Sequence, residues 1–170
     1  MYAFEYQRPG SVATAIGAAT GDARYLAGGQ SLVQSMKLRL SSSSTLVDLA
    51  GIDALRGISR DGSSVKIGAM TRLQDIADSP VIKKNYTALS EAARKAASPH
   101  VREMGTIAGN ICQLNRCWYF RKEENRFDCM RKGGQTCFAR TAEGPGVGRR
   151  RSSRPSGRME QTEVRAVSPY

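Results

Sequence analysis

The chain switches repeatedly between short apolar runs and longer stretches in which apolar residues recur every three or four positions. Residues 4–7 read as a short strand. Pro9-Gly10-Ser11 opens a helix that carries Val12, Ala15, Ile16 and Ala19 on one stripe, and Gly21 is placed to end it. Residues 24–27 form a second short strand. Gly28-Gly29 then turn the chain, and Ser31 caps a helix with Leu32, Met36 and Leu40 on one face. Residues 45–50 read as a buried strand. Residues 55–59 and 64–69 flank Asp61-Gly62 as a hairpin with a somewhat longer loop. Thr71 and Gln74 form a capping box for a short helix ending near Pro80. Residues 85–98 predict a helix with Ala88, Leu89, Ala92, Ala93 and Ala96 on one stripe, closed by Pro99. The chain then runs into a second small-residue turn, Gly105-Thr106-Ile107-Ala108-Gly109-Asn110.

This alternation predicts an α/β fold over residues 1–111. Two later regions differ. Residues 112–139 hold all four cysteines and the single Trp118, and read as a loop insertion organised by something other than a hydrophobic core. Residues 140–170 contain no Leu, Ile or Phe and carry Arg149-Arg150-Arg151. Such a segment buries too little apolar surface to offset its ordering entropy, so disorder is expected there.

The chain's 170 residues suffice for one domain or two small lobes. No apolar run is long enough to span a bilayer, and residues 1–5 lack a signal-peptide pattern, so a cytoplasmic location is expected. The net charge of +11 would ordinarily point to nucleic acid. Its uneven placement argues otherwise, because residues 140–170 concentrate 7 Arg against 3 Glu. A basic zinc- or nucleic-acid-binding module, resting on the charge and the four cysteines, is the alternative from another class. It leaves the two glycine turns unexplained.

Paired glycines between a strand and a helix offer backbone N–H donors and a close approach that a Cβ would block, which is what a phosphate needs. Ala27-Gly28-Gly29-Gln30-Ser31-Leu32 matches neither the G-x-G-x-x-G nor the P-loop pattern. By itself it is a tight turn. The second turn, about 75 residues on, changes this. Together the two motifs resemble the FAD motifs of the flavin-binding medium subunits of the xanthine dehydrogenase family, the molybdenum hydroxylases. The approach Ser98-Pro99-His100-Val101-Arg102-Glu103-Met104 and the aromatic-rich start leading to Arg8-Pro9 are similar as well. The resemblance covers residues 1–139.

The resemblance implies a two-lobed FAD-binding fold of the PCMH type, α/β (α+β), with lobes at residues 1–55 and 56–111. It implies a flavin between them, bound by Ala27, Gly28, Gly29, Gln30, Ser31 and Leu32 and by Thr106, Ala108, Gly109 and Asn110. The family usually has glycine where this chain has Ala108. The implied role is electron transfer. Substrate chemistry would take place on a molybdenum-cofactor large subunit, and electrons would pass through a [2Fe–2S] small subunit. No nucleic-acid partner and no membrane insertion are expected.

The spacing Cys112-x4-Cys117-x11-Cys129-x7-Cys137 is neither a zinc-finger nor a ferredoxin pattern, and four thiolates suit zinc or an iron–sulfur cluster equally. The resemblance is to the 4-hydroxybenzoyl-CoA reductase type of medium subunit, whose insertion after the second FAD motif holds a [4Fe–4S] cluster. It implies Cys117, Cys129 and Cys137 as three ligands. The fourth cysteine, expected soon after Cys137, is absent. Cys112 reads as a small buried hydrophobe; either it substitutes as a ligand, or the site is three-quarters built. The missing ligand coincides with the change of texture at Arg140, so residues 140–170 are expected to be the product of truncation or a frame shift. A truncated relative unable to hold FAD is therefore a further alternative. No catalytic role falls to the lone His100. Arg102 reads as structural, and Trp118, Tyr119 and Phe120 as shields of the insertion.

Overall fold

The computed structural model describes residues 1–122 and 126–141. The expected disorder of residues 140–170 therefore falls almost wholly outside the described residues. Elements follow in the order β1 (Glu5–Gln7), α1 (Val12–Ala18), β2 (Arg24–Leu26), α2 (Leu32–Lys37), β3 (Thr45–Asp48), β4 (Ile58–Asp61), β5 (Ser64–Ile67), α3 (Leu73–Asp78), α4 (Pro80–Asn85), α5 (Thr87–Lys95), α6 (Pro99–Met104), α7 (Ile107–Ile111) and α8 (Phe138–Thr141). The predicted α/β alternation is present.

β1, β3 and β2 form a parallel sheet in that order, with Tyr6 opposite Leu46 and Tyr25 opposite Val47. Parallel neighbours need crossovers, which α1 and α2 supply. The central strand β3 is the apolar one, as burial on both faces requires, and Leu46 and Val47 are buried. Val47 packs with Ala15 and Ile52 in one hydrophobic cluster. Asp48, at the end of β3, accepts the Tyr6 hydroxyl at 2.5 Å and the Ala50 N–H at 2.9 Å, so its burial is satisfied. The Asp48 carboxylate also raises the Tyr6 pKa, first through this hydrogen bond.

The α1 stripe is only partly used. Ala15 is buried, but Val12 is 43 % and Ile16 64 % exposed, lining an open apolar hollow of about 230 Å³ with Tyr25, Leu49 and Leu55. Periodicity selected the face correctly, yet little of the described chain lies against it.

β4 and β5 pair as an antiparallel hairpin in which Asp61 faces Ser64, so the loop has two residues rather than the longer one expected. Gly62 supplies the positive φ of +59° that such a turn needs. Its apolar side joins Ile58, Val65 and Ile67 to a second cluster of Ile76, Ala77, Ile82 and Ala93. α3 ends at Asp78, near Pro80 as expected, and Pro80 itself opens α4. Two other helix readings are corrected. Pro99 opens α6 rather than closing the preceding helix; at the first helical turn a missing N–H costs nothing, and Ser79 and Ser98 are the caps of α4 and α6. The helix expected over residues 85–98 is thus the shorter α5. Thr71 and Gln74 make no capping box: Thr71 donates to the Gly57 carbonyl, and Gln74 bonds Asp78 and Arg102.

Candidate functional site

The first glycine turn leaves the carboxyl end of β2, the position at which open α/β sheets bind ligands. Gly29 has φ +70°, a left-handed conformation that any side chain would strain. Gly28 is constrained differently. A Cβ there would lie 2.1 Å from the Met104 carbonyl oxygen and 2.9 Å from the Gly105 Cα. It therefore permits contact between the two turns, which the sequence could not reveal. No hydrogen bond of the described residues draws on the backbone N–H groups of Gly28, Gly29, Gln30 and Ser31.

Ser31 precedes α2, but it does not cap it. Its Oγ is buried without a hydrogen-bond partner among the described residues. Leaving a buried hydroxyl unsatisfied costs about 1–3 kcal/mol, so its position needs a reason. It lies in the wall of a cleft where a ligand acceptor or donor would satisfy it.

The second turn is anchored to residues 69–73. Leu73 N–H donates to the Gly105 carbonyl (2.9 Å), Ile107 N–H to Thr71 (2.9 Å) and Ala108 N–H to Ala69 (3.1 Å). Thr106 is buried, and its Oγ1 caps α7 by accepting the Gly109 N–H at 3.2 Å. A Cβ on Gly109 would lie 3.4 Å from the Ala27 Cβ, so the turns also approach here. Ala108 sits inside α7 without positive φ, and alanine is conformationally acceptable there.

Both turns line one cleft of about 1200 Å³, above the roughly 300–1,000 Å³ of ordinary small-molecule pockets and suited to a dinucleotide. Ala27, Gly28, Gly29, Gln30, Ser31, Leu32, Thr106, Gly109 and Asn110 all reach it; Ala108 is the one expected residue absent from its wall. Among the described residues, the charged ones of that wall are Arg24, Arg116, Arg131 and Lys132, with no carboxylate beside them. An orphaned hydroxyl, unused N–H donors, a glycine cradle and four cations in the described wall fit the pyrophosphate of FAD.

Sequence reasoning missed Arg116, Phe120, Arg131 and Lys132, because residues 112–139 were read around their cysteines. Among the described residues no group of three or more His, Cys, Asp or Glu is placed to hold a metal ion. Cys112 is exposed at the end of α7, and Cys117 begins a turn closed by the Arg121 N–H. Cys129 is buried and bridges to Thr136, while Cys137 precedes α8. The thiols Cys117, Cys129 and Cys137, with or without Cys112, therefore do not fit a cluster in this arrangement. Packing organises the segment instead. The rings of Tyr119, Phe127 and Phe138 meet at centroid distances of 5.2, 5.5 and 6.2 Å. Trp118 is 67 % exposed and faces Lys122 rather than shielding anything.

Residues 2–117 match the family described as "FAD binding domain in molybdopterin dehydrogenase". The chain is 46 % identical over 111 residues to the carbon monoxide dehydrogenase medium chain of Hydrogenophaga pseudoflava, a match covering 64 % of this chain and 39 % of that relative. It is 34 % identical over 122 residues to the aldehyde oxidoreductase FAD-binding subunit of Escherichia coli K12, covering 71 % and 38 %. The solved carbon monoxide dehydrogenase of Hydrogenophaga pseudoflava superimposes with a TM-score of 0.62 at 46 % identity, over 64 % of this chain and 39 % of that one. Quinoline 2-oxidoreductase from Pseudomonas putida 86 superimposes with 0.61 at 34 % identity, again over 64 % and 39 %. The chain thus spans about two fifths of the length of these relatives. Among the described residues no helix is long and apolar enough to cross a membrane.

Proposed function

Because the chain belongs to the FAD-binding domain family of molybdopterin dehydrogenases, we propose that it is the flavin-holding, electron-transferring part of a multi-subunit molybdenum-dependent oxidoreductase. The observation that carries this reading is the meeting of two distant glycine turns on one cationic cleft that contains the orphaned Ser31 hydroxyl. Bound FAD would supply the redox chemistry, and the protein supplies binding and orientation.

In this reading residues 1–55 and 56–111 are the two lobes around the cofactor. The N–H groups of residues 28–31 and the Ser31 hydroxyl hold the pyrophosphate. Thr106 keeps the second turn in shape through the Gly109 N–H, while Gly109 and Asn110 form the opposite wall. Ala27 and Leu32 complete the first wall. The partners are a molybdenum-cofactor large subunit and a [2Fe–2S] small subunit, and the location is cytoplasmic. A reducing compartment agrees with four cysteines clustered in one segment.

The test is to purify the chain with its gene neighbours and record the visible spectrum, then titrate the flavin-free chain with FAD. The expected result is a flavin absorption band and saturable, roughly stoichiometric binding. A colourless complex whose chain ignores added FAD would sink the reading.

A further inference from the structure

The glycine turns supply dipoles but no formal charge, since neither Ala27-Gly28-Gly29-Gln30-Ser31-Leu32 nor Gly105-Thr106-Ile107-Ala108-Gly109-Asn110 contains Lys or Arg. A pyrophosphate brings two negative charges into a cleft partly shielded from water. Nearby cations offset that, and among the described residues three of the four cations in the cleft wall come from the segment after the second turn.

That segment is built to present them. Arg131 and Lys132 occupy a 3-10 turn, Met130–Lys132, at the tip of a tight loop. The loop is closed by Met130 N–H to the Thr136 carbonyl (3.0 Å), Gly134 N–H to Cys129 (3.0 Å) and Thr136 N–H to Asp128 (3.1 Å). Gly133 makes the turn with φ +82°. Lys132 is steadied by a hydrogen bond to the Lys122 carbonyl and by the ring of buried Phe120, 5.9 Å away, which itself reaches the cleft. Arg116 is braced by the Gln113 side chain at 3.4 Å. Arg131 and Lys132 lie beyond the family match, which ends at residue 117.

We propose that Arg116, Arg131 and Lys132 form a cationic wall of the cofactor cleft that attracts and holds the anionic pyrophosphate of FAD. The proposal rests on the FAD reading above and adds the residues that neutralise the ligand. Charges at the rim of a site act chiefly on association rate and salt dependence, and exposed charges are screened within roughly 10 Å at 0.1 M salt.

The experiment uses the full 170-residue chain, freed of flavin. FAD binding is followed by flavin fluorescence across a salt series, with thermal denaturation of the flavin-free form as a folding control. The Arg131→Gln/Lys132→Gln variant is expected to bind roughly tenfold more weakly at low salt, with the gap closing as salt rises. The charge-preserving Arg131→Lys/Lys132→Arg variant is expected to keep the wild-type affinity and salt slope. The single variants Arg131→Gln and Lys132→Gln serve if the double one unfolds. Equal affinity and equal salt slope for wild type and the neutral variants would overturn this proposal while leaving the FAD site standing. Absence of FAD binding by the wild-type chain would remove the site and this proposal together.

Discussion

A methyl group on Gly28 would meet the Met104 carbonyl at 2.1 Å, and backbone cannot rotate away as a side-chain tip can. Gly28→Ala is therefore expected to cost at least about 1–3 kcal/mol and to weaken FAD binding by spreading the two turns. Gly29→Ala meets only side-chain tips, Val33 Cγ2 at 3.3 Å and Leu26 Cδ1 at 3.5 Å, but its φ of +70° makes alanine cost about 1–2 kcal/mol. Thermal melts and FAD titrations of both variants check this. Ser31→Ala separates folding from binding. Removing the unpartnered hydroxyl should stabilise the flavin-free chain by about 1 kcal/mol while weakening FAD binding by roughly tenfold, about 1.4 kcal/mol. A loss of stability in the flavin-free form would show that Ser31 serves the fold alone. The glycine doublet is legible in the sequence as a tight turn. The reason for Gly28 is not, because its neighbour Met104 lies far along the chain.

At the scale of elements, Arg102 joins three parts of the second sheet's helical layer. Its Nε donates to Gln74 Oε1 on α3 at 3.0 Å, and its Nη1 donates to the Ala96 and Ala97 carbonyls at 3.3 and 3.1 Å. Ala97 is held there at φ +50° on the cleft wall. Arg102→Met is expected to lower stability by about 1.5–3 kcal/mol, the range for a charged donor. Ala97→Gly should recover about 1 kcal/mol of it by relieving the left-handed strain; denaturant unfolding of the single and double variants checks both. Two aspartates tie neighbouring elements. The Ser44 hydroxyl, and then its N–H, hold the Asp22 carboxyl below its ordinary value, and Gln74, followed by Lys83 and Arg94, does the same for Asp78. With folded values below the unfolded ones, their contribution is complete above the ordinary pKa of about 3.9 and fades as pH falls through the folded values. Asp22→Asn and Asp78→Asn should each lower the melting temperature at neutral pH, with the difference from wild type shrinking in acid. Periodicity locates most elements, but it does not show that Pro80 and Pro99 open the helices that follow them. Ending one helix and opening the next produce the same residue beside a helix, and only the preceding serine caps decide between them.

At the scale of the molecule, two hydrophobic clusters, one on each sheet, support turns that touch through Gly28 and Gly109. A ligand that binds only this folded arrangement stabilises it by mass action, about 2.7 kcal/mol at a hundredfold excess over Kd. Excess FAD is therefore expected to raise the melting temperature of the wild-type chain. The gain should vanish in a variant disrupting either turn, such as Gly28→Ala or Thr106→Val, even though each turn belongs to a different sheet's surroundings. A gain surviving in both variants would place the ligand elsewhere.

Local chemistry determined what the sequence could announce alone: strand alternation, the stripe of α1, glycine at the turns, and two motifs whose separation marks a family. These depend on neighbours within a few residues, which a linear pattern records. Tertiary packing decided the rest. It left Val12 and Ile16 exposed and put Gly28 against Met104. Among the described residues it gathered no three of the cysteines into a metal site, and it put Arg131 and Lys132 in the cleft wall. Each of these outcomes depends on which distant segments come to lie together, and the period of a sequence specifies a face without specifying what will cover it.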